Sequence, residues 1–189
     1  MRIMLVDDDR VRLQQVEQAL AAAGDEVIVR LDSRADLLQA VQRYSPDVIL
    51  IDIDAPGRDT LESLNRISLD CPRPIVMFTD DGDTDTIRRA VRAGVSAYVV
   101  AGLNAERLKP IVDVAIARFH EHQSLKRELD EAKTRLADRR DVERAKGLLM
   151  QRRKLNETDA YELLRKMAMD RNLKIGEAAR ALIAAAELL

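Results

Sequence analysis

Five short apolar runs, spaced by stretches of helical periodicity, constrain the first hundred residues more than any other feature of this chain. The runs are Ile3–Val6, Glu26–Val29, Val48–Ile51, Ile75–Phe78 and Ala97–Val100, all rich in Val or Ile. Between them, Val11–Ala23, Ala35–Tyr44, Leu61–Leu69 and Thr84–Ala93 carry apolar residues at the intervals of one helix face. A run that is apolar throughout suits a strand buried on both sides. Strands that alternate with helices are joined by crossovers, which make them parallel and cover both faces of the sheet. The expected fold is therefore α/β, a doubly wound five-stranded parallel sheet. Punctuation agrees with it: Gly24 and Gly94 follow helical segments, where a left-handed cap favours glycine. Ser33 is the expected N-cap of the second helix, and Pro46, Pro56, Pro72 and Pro74 fall between elements.

After Asn104 the pattern changes. From Ala105 to Arg153 the only proline is Pro110 and the only glycine Gly147. Apolar residues recur at Leu108, Ile111, Ala115 and Phe119. Leu125, Leu129, Ala132 and Leu136 then follow at intervals of four, three and four, a heptad seam that also takes in His122. At ~1.5 Å per residue the stretch 105–140 would span ~54 Å, too long to pack wholly on one small domain, so pairing with a second copy is expected. His122 is read as a packing residue of that seam rather than a metal ligand. Asn156 opens a second helix with acids in its first turn. Ile175 opens a third, and with the end of the long helix these form a small three-helix all-α domain. The expected organisation is 1–120 for the α/β domain, 105–140 for the long coiled-coil helix and 125–189 for the helical domain.

Charge separates the two halves. Residues 1–122 hold 15 Lys+Arg against 21 Asp+Glu, and residues 123–189 hold 16 against 12. An acidic module is thus fused to a basic one suited to a polyanion. The single cysteine, Cys71, rules out an internal disulfide framework and a multi-cysteine zinc site, and a reducing, cytoplasmic setting is the expectation. No apolar run approaches the ~20 residues of a spanning helix, so no membrane role is expected. Met1–Asp7 is too short an apolar stretch for a secretory signal. Both histidines, His120 and His122, lie on the long helix, and no nucleophile–base set is evident, so an enzyme is not expected.

Carboxylates collect where the predicted strands end: Asp7, Asp8 and Asp9 after the first, Asp52 and Asp54 at the third, with Thr79 closing the fourth. The crevice beyond the strand carboxyl ends is where such sheets bind ligands. Converging acids there call for a cation, and Mg²⁺, which takes oxygen ligands, is the expected cofactor. Residues 1–120 resemble a response-regulator receiver domain, of flavodoxin-like fold, through Leu5-Val6-Asp7-Asp8-Asp9 and through Pro46-Asp47-Val48-Ile49-Leu50-Ile51-Asp52-Ile53-Asp54-Ala55-Pro56-Gly57. That resemblance implies Asp52 as phospho-acceptor, acting as a carboxylate nucleophile. It implies Asp7, Asp8 and Asp52, with the backbone carbonyl of Asp54, as the Mg²⁺ set, and Thr79 and Tyr98 as switch residues. The chain departs from the family in one respect. Val99-Val100-Ala101-Gly102-Leu103 stands where the family has Lys-Pro after the fifth strand, so a charge-assisted bond of ~1.5–3 kcal/mol to the phosphorylated state is lost. Asp80 adds negative charge after Thr79. Phosphorylation is therefore expected to be a weak or absent switch.

Residues 139–174 hold 11 Lys+Arg against 6 Asp+Glu, a composition that suits phosphate contacts. Arg139, Lys146 and Arg153, seven apart, are read as one helix face, with Val142, Ala145 and Leu149 on an adjacent buried one. Gly147 in mid-helix costs roughly 1 kcal/mol against Ala, so a packing or close-approach reason is expected. Glu143-Arg144-Ala145-Lys146-Gly147-Leu148-Leu149-Met150, then Ala160-Tyr161-Glu162-Leu163-Leu164-Arg165, then Ala168 and Ala178-Ala179, resemble the ANTAR domain, the RNA-binding module of transcription antiterminators. The candidate RNA contacts are Arg144, Lys146, Gly147, Arg152, Arg153, Arg165, Lys166, Arg171 and Lys174. With Pro72–Asp80 and Gly94–Tyr98, the two resemblances point to regulators of nitrate assimilation of the NasT type. That group implies a homodimer through the long helix, paired hairpins in leader mRNA as target, and a nitrate-sensing protein partner. A DNA-binding response regulator, or an adaptor switched at Asp52, is the alternative. DNA is disfavoured because Ile175–Leu189 offers only Arg180 as a basic residue.

Overall fold

The computed structural model describes residues 1–100 and 105–187. Nine elements alternate through the first part: β1 (Arg2–Asp7), α1 (Arg10–Ala22), β2 (Glu26–Leu31), α2 (Leu37–Tyr44), β3 (Val48–Asp52), α3 (Arg58–Asp70), β4 (Ile75–Thr79), α4 (Thr84–Arg92) and β5 (Ala97–Val100). α5 (Ala105–Arg153), α6 (Glu157–Asp170) and α7 (Ile175–Glu187) follow. The strands form one parallel sheet in the order β2-β1-β3-β4-β5, the flavodoxin-like order. The doubly wound five-stranded fold predicted from the alternating runs is the one observed.

The chain divides into two compact units, Met1–Gln123 and Ser124–Leu189. In the first, alternate side chains of each strand enter opposite cores, because a strand repeats every two residues. Met4, Val6, Ile49, Ile51, Ile75 and Met77 pack with Leu37, Val41, Leu64, Ile67 and Ala90 from α2, α3 and α4. Ile3, Leu5, Val48, Leu50, Val76 and Phe78 pack on the other face with Val16 and Leu20 of α1 and Leu108, Val112 and Ala115 of α5. β1, β3 and β4 are thus buried on both sides, and their carboxyl ends open at one edge.

Local chemistry sets the element ends. Asp9 caps α1, its side chain accepting from Val11 N at 2.8 Å and Arg12 N at 3.3 Å. Gly24 and Gly94 adopt φ of +80° and +100° after α1 and α4, as their positions predicted. Ser33 does not cap α2. The chain first makes a turn, with Ala35 N donating to Asp32 O, and Asp36 then caps the helix by accepting from Gln39 N at 3.0 Å.

The second unit is a three-helix core of Ala145, Leu149, Ala160, Leu164, Ala168, Ala178, Ala179 and Ile183. Asn156 caps α6, accepting from Asp159 N at 2.9 Å. Small residues let the helices approach closely. A Cβ on Gly176 would run into the side chain of Asp138 on α5, and Asp138 in turn accepts from Arg180 Nη1 of α7 at 2.6 Å. Leu125, Leu129 and Leu136, further back along α5, are each more than half exposed.

Candidate functional site

The carboxyl ends of β1, β3 and β4 bring Asp7, Asp52 and Thr79 together, and all three are buried, with 2 %, 3 % and 1 % exposure. Register does this: Asp7 stands beside Asp52, and Asp52 beside Phe78. Asp8, Asp9, Arg12 and Asp54 line the depression above them.

Arg12 is the residue that sequence reasoning missed. Its Nε and Nη2 donate to Asp7 Oδ2 and Oδ1, each at 2.8 Å, the forked geometry that suits guanidinium to carboxylate. The same Nε lies 3.0 Å from Asp52 Oδ2. A guanidinium Nε carries one proton, and here it goes to Asp7. Asp52 Oδ2 therefore feels the charge but receives no hydrogen bond and is left buried without one. The signal for this in the sequence is spacing. Arg12 lies five residues after Asp7 and three after the helix cap, where the first turn of α1 folds back over the strand end.

Electrostatics follow from these contacts. Burial pushes the Asp52 carboxyl up to about 6, and Asp7, Asp80 and Asp54 add to it while Arg12 opposes. The hydrogen bond to Asp7 holds Arg12 more firmly protonated than usual. Asp8 is held below the ordinary carboxylate range, chiefly because it accepts from Ser33 N at 2.9 Å. Thr79 Oγ1 donates to Asp54 O at 2.7 Å and accepts from Asp81 N at 3.0 Å. Tyr98 OH donates to Asp81 O at 2.9 Å, and partial burial raises its pKa. Both predicted switch residues are thus tied to the loop between β4 and α4.

The expected Mg²⁺ set does not fit an ion in this arrangement. Asp7 Oδ1 already accepts from Asp9 N at 2.7 Å as well as from Arg12. Asp8 is turned to Ser33, the Asp54 carbonyl already accepts one bond from Thr79, and the Asp54 side chain is exposed. Among the described residues, no group of three or more carboxylates, imidazoles or thiols is drawn together to hold a metal. Ala101, where the family carries its lysine, lies outside the described residues, as do Gly102 and Leu103.

In the helical unit, Arg144, Arg152, Arg153, Arg165, Lys166, Arg171 and Lys174 are exposed, and Arg152 Nη2 donates to Ala186 O at 2.9 Å. Lys146 differs from its heptad neighbours Arg139 and Arg153. It is 8 % exposed, and its ammonium contacts Glu143 at 3.0 Å and Glu157 at 2.7 Å. A seven-residue step drifts about 20° around a straight helix, and this position meets the start of α6. The Glu157 hydrogen bond raises the Lys146 pKa, and Lys146 lowers that of Glu157. Gly147 has open space where a Cβ would stand. The close approach expected there is found at Gly176.

A parallel sheet whose central strand ends meet in an acidic pocket, with a threonine closing it, has the architecture of a flavodoxin-like α/β domain with its site at the strand ends. The response regulator receiver domain matches residues 3–113 and the ANTAR domain matches residues 130–183. The chain belongs to the response regulator receiver family and carries an ANTAR domain after the receiver. It is 29% identical over 170 residues to the transcriptional regulatory protein PdtaR of Mycobacterium tuberculosis, covering 90% of this chain and 83% of that one. Identity to the DNA-binding transcriptional regulator NtrC of Escherichia coli is 31% over 122 residues, 64% of this chain and 26% of the other. Among solved structures, a CheY-like receiver protein from Methanospirillum hungatei matches with a TM-score of 0.55 at 23% identity, over 64% of this chain and 97% of that one, a likeness of fold. Receiver and ANTAR domains belong to regulatory proteins, and together they make an RNA-binding, antiterminator-type response regulator. No described helix is long and apolar enough to cross a membrane.

Proposed function

We propose that this chain is a cytoplasmic transcription antiterminator that binds paired stem-loops in leader mRNA as a homodimer. In this reading it controls nitrate or nitrite assimilation genes and answers to a nitrate-sensing protein partner more than to phosphorylation. The observation that carries the RNA half is the ANTAR match over a unit that exposes Arg144, Arg153, Arg165, Lys166, Arg171 and Lys174. Hairpin loops present unstacked bases that duplex RNA hides, and these side chains supply charge for phosphates and planes for stacking. Tyr161, 43 % exposed, is an aromatic available beside them. Arg180, the basic residue of α7, is engaged by Asp138 and Asp141, which leaves that helix poorly suited to a DNA groove. The exposed Leu125, Leu129 and Leu136 support pairing along α5, and two RNA modules on one dimer gain from effective concentration on two adjacent hairpins. The nitrate assignment rests on sequence resemblance at Pro72–Asp80 and Gly94–Tyr98.

Receiver domains generally bind Mg²⁺ at the acceptor. In this chain Asp7, Asp8 and Asp52 would be free to hold it only after Arg12 leaves. Gel shifts of the full chain with a two-hairpin leader RNA and with duplex DNA of equal length test the main reading. Salt-dependent retention of the RNA is expected, and preference for the DNA overturns it. Phos-tag electrophoresis after a small phosphodonor tests the minor role of phosphorylation, for which little Asp52 labelling is expected.

A further inference from the structure

The pocket carries a cation of its own. We propose that Arg12 is the resident counter-ion of this receiver, standing where the class places a divalent metal, so that Mg²⁺ enters only by displacing the guanidinium. The inference uses nothing from the RNA-binding unit and stands or falls apart from it.

Coordination arithmetic supports it. A carboxylate offers about four acceptor directions, and Asp7 has three filled: Asp9 N at 2.7 Å and both arms of the Arg12 fork at 2.8 Å. Asp52 Oδ2, buried and without a proton donor, has the Arg12 Nε at 3.0 Å. The remaining ligands of the expected set face elsewhere, Asp8 to Ser33 and the Asp54 carbonyl to Thr79. Arg12 also sits badly for its own helix. A positive charge in the first turn opposes the helix dipole, and Arg12 is the third residue of α1. Helix stability gives no reason for a basic residue there, whereas two buried carboxylates below it do. Arginine suits the task better than lysine because its planar fork reaches both Asp7 oxygens while the Nε of that same fork also lies against Asp52. Being tethered, it competes at a constant effective concentration that no chelator removes.

The test uses the full chain, with MgCl₂ and MnCl₂ as the probes. In wild type the thermal midpoint of the receiver is the same in chelator and in millimolar Mg²⁺, because an ion that does not bind the native state does not stabilise it. Mn²⁺ leaves the amide signals of Asp9, Ile53 and Asp54 unbroadened. Arg12→Ala binds Mg²⁺ at least roughly tenfold tighter than wild type by calorimetry, a coupling of the size one competing group supplies. Its midpoint then rises with the ion. A Mg²⁺-dependent rise in the wild-type midpoint, or Mn²⁺ broadening at those amides in wild type, overturns the proposal, as does equal affinity in the two proteins. Both wild-type readings decide the matter even if Arg12→Ala does not fold.

Discussion

Asp52→Asn should make the receiver unit more stable at neutral pH, although it removes the proposed acceptor. The Asp52 carboxyl is pushed from an ordinary value near 3.8 to about 6, first by burial. The folded state therefore holds a proton that the unfolded chain has lost between these two values. Its stabilising share is complete below about 3.8, falls as pH rises through the window, and is gone above about 6. The displacement corresponds to roughly 3 kcal/mol at 1.36 kcal/mol per tenfold. Arg12 is one-third exposed on its side chain and water screens the pair, so we expect about 1–2 kcal/mol after that discount and after seating the Asn amide. Hydrogen exchange at the amides of β3 and of β1 beyond Arg2 reads this, since these buried stretches open only when the unit unfolds. The gap between Asp52→Asn and wild type should be present at pH 7.5 and close by pH 4. Taking the difference between the two proteins cancels the titrating groups that are not coupled to Asp52. An Asn variant that is no more stable at pH 7.5, or a gap that does not change with pH, refutes the argument that Asp52 is a carboxylate given charge but no proton.

Further outcomes are expected from variants of the helical unit. Lys146→Ala should quicken hydrogen exchange at Ala160 and Leu164, because it leaves Glu143 and Glu157 without their partner. Arg165→Ala should leave exchange unchanged and reduce the salt slope of RNA binding by about one. Gly147→Ala should stabilise the helical unit by about 0.5–1 kcal/mol in the absence of RNA, since its Cβ meets open space. Gly176→Ala, where a Cβ meets Asp138, should lower the unit's thermal midpoint. Leu129→Asp on the exposed seam should shift sedimentation toward monomer and weaken binding to paired hairpins by about a hundredfold, with single-hairpin binding little changed.

The strands were legible because being buried on both faces leaves an unmistakable apolar run, and Asp7, Asp52 and Thr79 came together because they end such runs. The caps at Asn156, Gly24 and Gly94 were legible because backbone geometry there demands a residue type. Ser33 misled because Asp36, three residues on, competes for the same role and lies nearer the first helical turn. Arg12 was missed, since composition describes it as one more surface arginine and its spacing from Asp7 gains meaning only once α1 is known to fold back over β1. Lys146 and Gly147 failed together for a related reason. A heptad step assigns a face only approximately, and α6 arrives on the side where Lys146 points, leaving Gly147 open. The site was thus readable where residues follow strands, and obscured where one helix is laid on another element.

The clasp of Lys146 on Glu157, beside the Asn156 cap, bears on how the basic surface meets its ligand. It fixes the first turn of α6 against α5, so Arg165 and Lys166, two turns further on, are carried on a rigid rod. A scaffold ordered before encounter loses little freedom on association. If the ligand is the folded leader transcript proposed above, the conformational cost falls on the nucleic acid and its loops, and small differences in hairpin shape decide how long a complex lasts.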